Sequence, residues 1–214
     1  MDQKQYKKYV KFALLLSIIT IVYNIAEGLV SIYFGAKDET LALFGFGADS
    51  FVEVLSGIGI FHMIIRIMKN DIENRDNFER TALKITGSGF YILTAGLVVA
   101  AIINLLNGNK PETTLVGIIV SLISILTMYL LVRFKLKVGK KIKSDAVIAD
   151  ANCTKTCFYL SIILLISSLT YEIFKVGYID IAGTLGIAFF AFREGKESFE
   201  KAKSDKLSCS CEDD

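Results

Sequence analysis

The apolar residues of this chain fall into six long blocks, at roughly 11–35, 41–67, 83–106, 113–134, 146–170 and 173–192. This arrangement constrains the fold more than any other feature. A helix needs about 20 mostly apolar residues to cross the hydrocarbon of a bilayer. Inside lipid each backbone N–H and C=O must find a partner within its own segment or a closed sheet, so blocks of this length are read as helices. The sequence therefore predicts an all-α integral membrane protein, a bundle of six transmembrane helices. The hydrophobic share of 53% arrives in these blocks, which argues against a large soluble core. Short connections predict one six-span domain over 1–195 and a short charged tail over 196–214 that holds a Cys-x-Cys pair.

The net charge of +2 hides a strong asymmetry. Lys4, Lys7, Lys8 and Lys11 precede span one, and Arg66, Lys69, Arg75, Arg80 and Lys84 surround the connection from span two to three. Arg133, Lys135, Lys137, Lys140, Lys141 and Lys143 join spans four and five, and Arg193, Lys196, Lys201, Lys203 and Lys206 follow span six. The opposite loops hold only Lys37, Lys110 and Lys175. The positive-inside rule puts both termini in the cytoplasm, and an even number of spans requires the same. Topology and anionic headgroups account for these basic loops, so no nucleic-acid partner is expected. The first block starts like a signal peptide. It lacks a small-x-small cleavage site and contains Asn24 and Glu27, so it reads as a retained span. The expected location is a multi-pass position in a membrane, the cell membrane if the source is prokaryotic.

Ionisable groups at membrane depth cost about 2.5–3.5 kcal/mol each on insertion scales, which makes each a functional candidate. Here they are Glu27 in span one, Asp49 and Glu53 in span two, Asp150 and Lys155 in span five, and Asp180 in span six. Spans three and four carry almost none at their centres. Spans one, two, five and six are thus expected to enclose a hydrated or ion-binding interior, with three and four packed outside it.

Asp49 and Glu53 are four residues apart and share a helix face, as do Cys153 and Cys157. Counting about 1.5 Å per residue from the span ends places Asp49 level with Cys157, and Glu53 level with Cys153, near mid-membrane. Two carboxylates and two thiolates form a tetrahedral set for a zinc-like ion. Thiolates suit Zn(II) and Cd(II), whereas Mg(II) and Ca(II) prefer oxygen cages. A thiol must lose its proton to bind metal, and a free one titrates near pH ~8.5, so metal and protons compete near neutrality. That competition is a basis for exchanging outgoing metal for incoming protons.

These residues resemble the transmembrane part of the cation diffusion facilitator family. Asp49 and Glu53, in the run from Ala42 to Ser56, occupy the two ligand positions of that family's second span. The fifth-span pattern, Ser-x-Ala-Leu-x-Ala-Asp-Ala-x-His-x-x-x-Asp, is matched from Ser144 to Cys157, with Cys153 and Cys157 where the family has His and Asp. Asn24, Glu27 and Gly28 in span one and Tyr178, Ile179 and Asp180 in span six also resemble family positions. Phe46 stands where the second span usually has an acidic residue. The resemblance covers about residues 10 to 195. It implies a metal–proton antiporter with six spans and cytoplasmic termini.

Other residues carry open readings. Asp150 and Asp180 are candidate auxiliary ligands, proton relays or helix-packing hydrogen bonders, and Glu27 and Asn24 are similar. Lys155 lies about 200° around the helix from Cys153, away from the ligand face. It is expected to pair with Glu27 or Asp180 or to sit at a subunit contact, and alternatively to tune the site as a tethered cation. His62 reads as interfacial and not a ligand. Cys209 and Cys211 are a candidate pickup site for a soft cation, or idle thiols.

The functional expectation is a non-enzymatic transporter, a homodimer in the bilayer, that exports Zn(II) or Cd(II) from the cytosol against protons and has no prosthetic group. Asp49, Glu53, Cys153 and Cys157 are the expected ligands. One rival is a non-transporting membrane metal sensor or partner protein derived from a transporter. Another is a thiol oxidoreductase using Cys153 and Cys157, disfavoured by their depth and four-residue spacing.

Overall fold

The computed structural model describes residues 3–38, 40–69, 77–108 and 110–204. Six helices follow in chain order: α1 (Gln3–Lys37), α2 (Leu41–Met68), α3 (Asn77–Asn107), α4 (Leu115–Ile142), α5 (Asp145–Phe174) and α6 (Tyr178–Lys203). No strand occurs among the described residues. The predicted all-α membrane bundle is what is found, and α1 to α5 each contain a stretch long and apolar enough to span a membrane. Asp180, Arg193 and Glu194 interrupt the apolar run of α6, yet this helix packs against α2, α3 and α5.

The helices outrun the predicted blocks. Ser144 starts α5 by accepting a hydrogen bond from the Val147 N–H, the usual N-cap arrangement. From there α5 continues for 30 residues, about 45 Å of helix against a hydrocarbon layer of about 30 Å. Helix α4 continues past residue 134 to Ile142, and α6 runs on to Lys203, so the beginning of the expected tail is helical and Lys201 and Ala202 are buried.

Three pairs of neighbours dominate the packing: α1 with α2, α3 with α6, and α4 with α5. Helices α2, α5 and α6 also touch one another, with α3 flanking α2 and α6, and α4 flanking α5 and α1. Helices α1, α2, α5 and α4 close a ring, each touching the next, and the inner apolar cluster draws on these four alone among the described residues. Span three lies outside, as expected, but span four lines the bundle with spans one, two and five, while span six pairs with span three against α2 and α5. Leu29, Ile92, Leu106, Leu126, Ile166 and Ile173 are exposed, forming the apolar surface a bilayer would cover. Inside, small and hydroxylated residues allow close helix approach, because lipid supplies no hydrophobic force between helices. A Cβ on Gly47 would stand 2.7 Å from Ser31 Cβ and 2.8 Å from the Ile32 nitrogen, so only glycine permits this α1–α2 contact.

Two apolar clusters sit at different depths. The outer one includes Ala42, Leu43, Phe46, Leu160, Leu164 and Ile187. The inner one includes Val10, Leu16, Met63, Ile64, Met128, Leu131, Val138 and Val147. On α2 the stretch that carries Asp49 and Glu53 lies between them, and on α6 Glu194 lies inward of the outer cluster. At the outer ends, polar groups tie the helices. Thr114 donates its hydroxyl to the Ser168 carbonyl and to Glu172, Tyr171 donates to the Pro111 carbonyl, and the Glu112 N–H donates to the Asp38 carbonyl.

Candidate metal centre

Asp49 and Glu53 are buried on one face of α2, with 2% and 8% of their surface exposed. Asp49 Oδ1 has no hydrogen-bond partner. Cys157 on α5 is buried, and Glu53, Asp49, Glu27 and Glu194 all lie within its electrostatic reach. Cys153, one turn further along, is half-buried. Its sulfur accepts from Lys201 Nζ at 3.4 Å, a contact with α6. Among the described residues no three His, Cys, Asp or Glu side chains are drawn close enough to hold an ion. Asp49, Glu53 and Cys157 therefore share one buried region without forming a closed ligand cage, and Cys153 is turned to Lys201.

The depth register differs from the expected one. A Cβ on Gly183 would stand 2.5 Å from Ser167 Cβ and 3.4 Å from Ala42 Cβ, so α6, α5 and α2 are level there. Eleven residues further in along each helix are Glu194, Thr156 and Glu53. The Thr156 hydroxyl donates to Glu194 Oε1 at 2.8 Å, which holds the α5–α6 part of that count. Glu53 thus comes level with Thr156 and Cys157 rather than with Cys153, and Asp49 sits one turn nearer the outside. The cause is the length of α5, about 45 Å, since a hydrocarbon layer of about 30 Å measured from its inner end sets the thiols too near the outer face.

Glu27 accepts from Tyr23 at 2.9 Å and from Ser50 at 3.0 Å, joining α1 to α2 beside Asp49. Three residues further in on both helices lie Asn24 and Glu53, and Asn24 Oδ1 is buried without a hydrogen-bond partner. Asp150 makes a helix-packing contact, one of the roles expected of it. Lys135 Nζ on α4 donates to it at 2.8 Å and to Thr154 at 2.8 Å. Lys135, counted among the loop cations from sequence, is fully buried. Asp180 accepts from the backbone N–H groups of Leu41 and Ala42 at 2.9 and 3.3 Å. It caps α2 from another helix and satisfies two of the donors that a helix start leaves open.

Lys155 points away from the ligand face, as expected, but is not in the expected buried ion pair. It is exposed, and its ammonium lies 6.0 Å from the Tyr159 ring centre. Its neighbours on the buried side, Thr154 and Thr156, take the inward positions. His62 is half-buried against Phe78, with Nδ1 3.7 Å from Glu79 Oε1, at the inner end of α2. Cys209 and Cys211 lie outside the described residues.

Glu194 and Lys201 were missed because they follow the apolar part of span six and read as cytoplasmic charges. The signal was helical spacing: Ile187, Ala191, Glu194, Ser198 and Lys201 recur every three or four residues and are all buried. Lys135 lies in a similar buried stripe with Met128, Leu131, Val138 and Ile142.

Residues 13–205 match the family model described as the cation efflux transmembrane domain. The chain is also 28% identical over 173 residues to an uncharacterized transporter of Methanocaldococcus jannaschii, a match that takes in 78% of this chain and 61% of that relative's length.

Proposed function

The chain belongs to the cation efflux transmembrane domain family, and on that premise we propose that it exports a divalent transition metal from the cytosol, Zn(II) or Cd(II), in exchange for protons. The observation that carries this reading is Asp49. It is a buried carboxylate with an unpartnered oxygen, on the same face as Glu53 and in electrostatic contact with the surroundings of Cys157. An unpaired ionisable group at membrane depth is costly and is expected where an ion passes.

Asp49, Glu53 and Cys157 bind the ion at mid-membrane. Cys153, a turn nearer the cytosol, joins them when its contact with Lys201 opens. A divalent ion neutralises these carboxylates and draws them together. Thiolate ligands favour Zn(II) and Cd(II) over Mg(II) and Ca(II). Metal uptake displaces thiol protons, which couples the two flows. Rocking of helix groups alternately opens the site to each side, with a homodimer in the bilayer as the working unit.

The test is pH-gradient-driven Zn(II) and Cd(II) flux into proteoliposomes. Flux that survives both Cys153→Ala and Cys157→Ala removes the thiols from the site. Metal binding without flux favours a membrane metal sensor instead, a reading that the Cys153–Lys201 contact supports by closing one ligand away.

A further inference from the structure

We propose that Glu194 of α6 is an ion-coordinating residue of this site, so that three helices, not two, hold the cargo. The inference rests on the transport reading above and adds to it a carboxylate from outside the two helices that carry the other ligands.

Four observations converge on Glu194. It is buried, with 7% of its surface exposed, in a stretch of α6 rich in small residues: Ala191, Gly195 and Ser198. It shares its level with Glu53 and Thr156, eleven residues inward of the Ala42–Ser167–Gly183 contact. It is an electrostatic neighbour of Asp49, Glu53 and Cys157 alike. Finally, the unpartnered Oδ1 of Asp49 leaves this same cluster with a buried acceptor that nothing among the described residues fills.

The charge balance gives the cluster its chemistry. Three carboxylates share one low-dielectric region without closing into a cage, and like charges there are expensive unless protons or a cation neutralise them. The buried cations nearby are Lys135 and Lys201. Lys135 is held by Asp150 and Thr154. Lys201 contacts Glu197 at 2.7 Å and Cys153 at 3.4 Å, and also acts on Glu53 and Glu194. Lys135 also acts on Glu53, and Arg193 on Glu194; what these shared cations leave unbalanced, protons or a divalent cation completes. The Thr156 hydroxyl holds Oε1 of Glu194 and so fixes the carboxylate in place. Asp49, Glu53, Cys157 and Glu194 fill the four positions of a tetrahedral ion, with Cys153 as the entry-side thiol.

The experiment is calorimetric Cd(II) titration of the full chain in lipid nanodiscs, with the ultraviolet thiolate-to-cadmium band recorded alongside. Glu194→Gln keeps the size and a hydrogen-bond acceptor for Thr156 but removes the charge. It is expected to weaken Cd(II) binding at least about tenfold while the thiolate band persists at saturation. Thr156→Ala, which removes the hydrogen bond that orients the carboxylate, should also weaken binding, by about tenfold or more, if Glu194 is a ligand. Native affinity in Glu194→Gln overturns the inference. Should Glu194→Gln fail to fold, Glu194→Asp carries the test: weakened binding supports ligation and unchanged binding overturns it. Absence of Cd(II) and Zn(II) binding by the native chain overturns the transport reading itself. Binding that is lost in Asp49→Asn but untouched in Glu194→Gln overturns the present inference alone.

Discussion

The ends of the bundle and its middle treat buried aspartates differently. Asp180 at the outer end and Asp49 at mid-depth are each 2% exposed. Asp180 receives two backbone N–H groups from the start of α2. Toward the inner end, Asp150 receives an ammonium and lies beside a hydroxyl that the same ammonium reaches. Asp49 keeps one oxygen with no partner at all. Burial alone therefore does not distinguish an acid that holds helices together from one available to a passenger. Donors do. Where the fold supplies them, the carboxylate is architectural; where it withholds them, as at Asp49, the carboxylate suits the ion-binding role proposed above.

The largest effect expected from disturbing this contrast is at Lys135. Lys135→Met leaves Asp150 buried without its cation and should lower stability by about 3–5 kcal/mol. The double variant Lys135→Met with Asp150→Leu should recover most of that loss, read by chemical unfolding in detergent. A single variant as stable as native would show that Asp150 does not depend on its ammonium. Asp49→Asn should do the reverse: its melting temperature stays level or rises, since a buried unpaired charge is gone, while Cd(II) affinity falls about 100-fold or more. A large loss of melting temperature there would place Asp49 with the architectural acids. Asp180→Ala opens two donors at the start of α2 and should cost about 1–3 kcal/mol of stability in the same unfolding assay. Smallest of all, Lys155→Gln should change stability by less than about 0.5 kcal/mol, because its ammonium is exposed and, among the described residues, meets only the Tyr159 ring. Cd(II) binding in that variant should match native, and a clear shift would restore Lys155 as a tuning cation.

Much of this contrast was legible in the sequence. The apolar blocks announced the helices, and the four-residue spacing of Asp49 and Glu53 announced a shared face. The partners of Asp150 and Asp180 were not legible. A carboxylate in a span looks the same whether its donor is a lysine on another helix or a helix start more than a hundred residues away. Lys135, Glu194 and Lys201 were hidden for a related reason. Charge next to an apolar block suggests the end of a span, whereas helices longer than the bilayer carry such residues into the packed bundle. The thiol register differs by a turn on the same account, since α5 is longer than the hydrocarbon layer is thick.

The cap that Asp180 makes on α2 has a mechanical meaning. It pins the outer end of one helix to the outer end of another that runs parallel to it. Two rods fastened at one end can still swing, and the swing grows with distance from the fastening. Glu53 and Glu194 lie some 12 to 14 residues from the pin, about 20 Å along the helices. A relative tilt of about 5° would part them by less than about 2 Å over that length. At their far ends both helices are tied to α3, α2 through the Arg66–Glu79 pair and α6 through the Arg80 guanidinium, which donates to the Ala202 carbonyl. A fastening at the outer rim and a shared link at the inner one thus brace α2 and α6 at both ends.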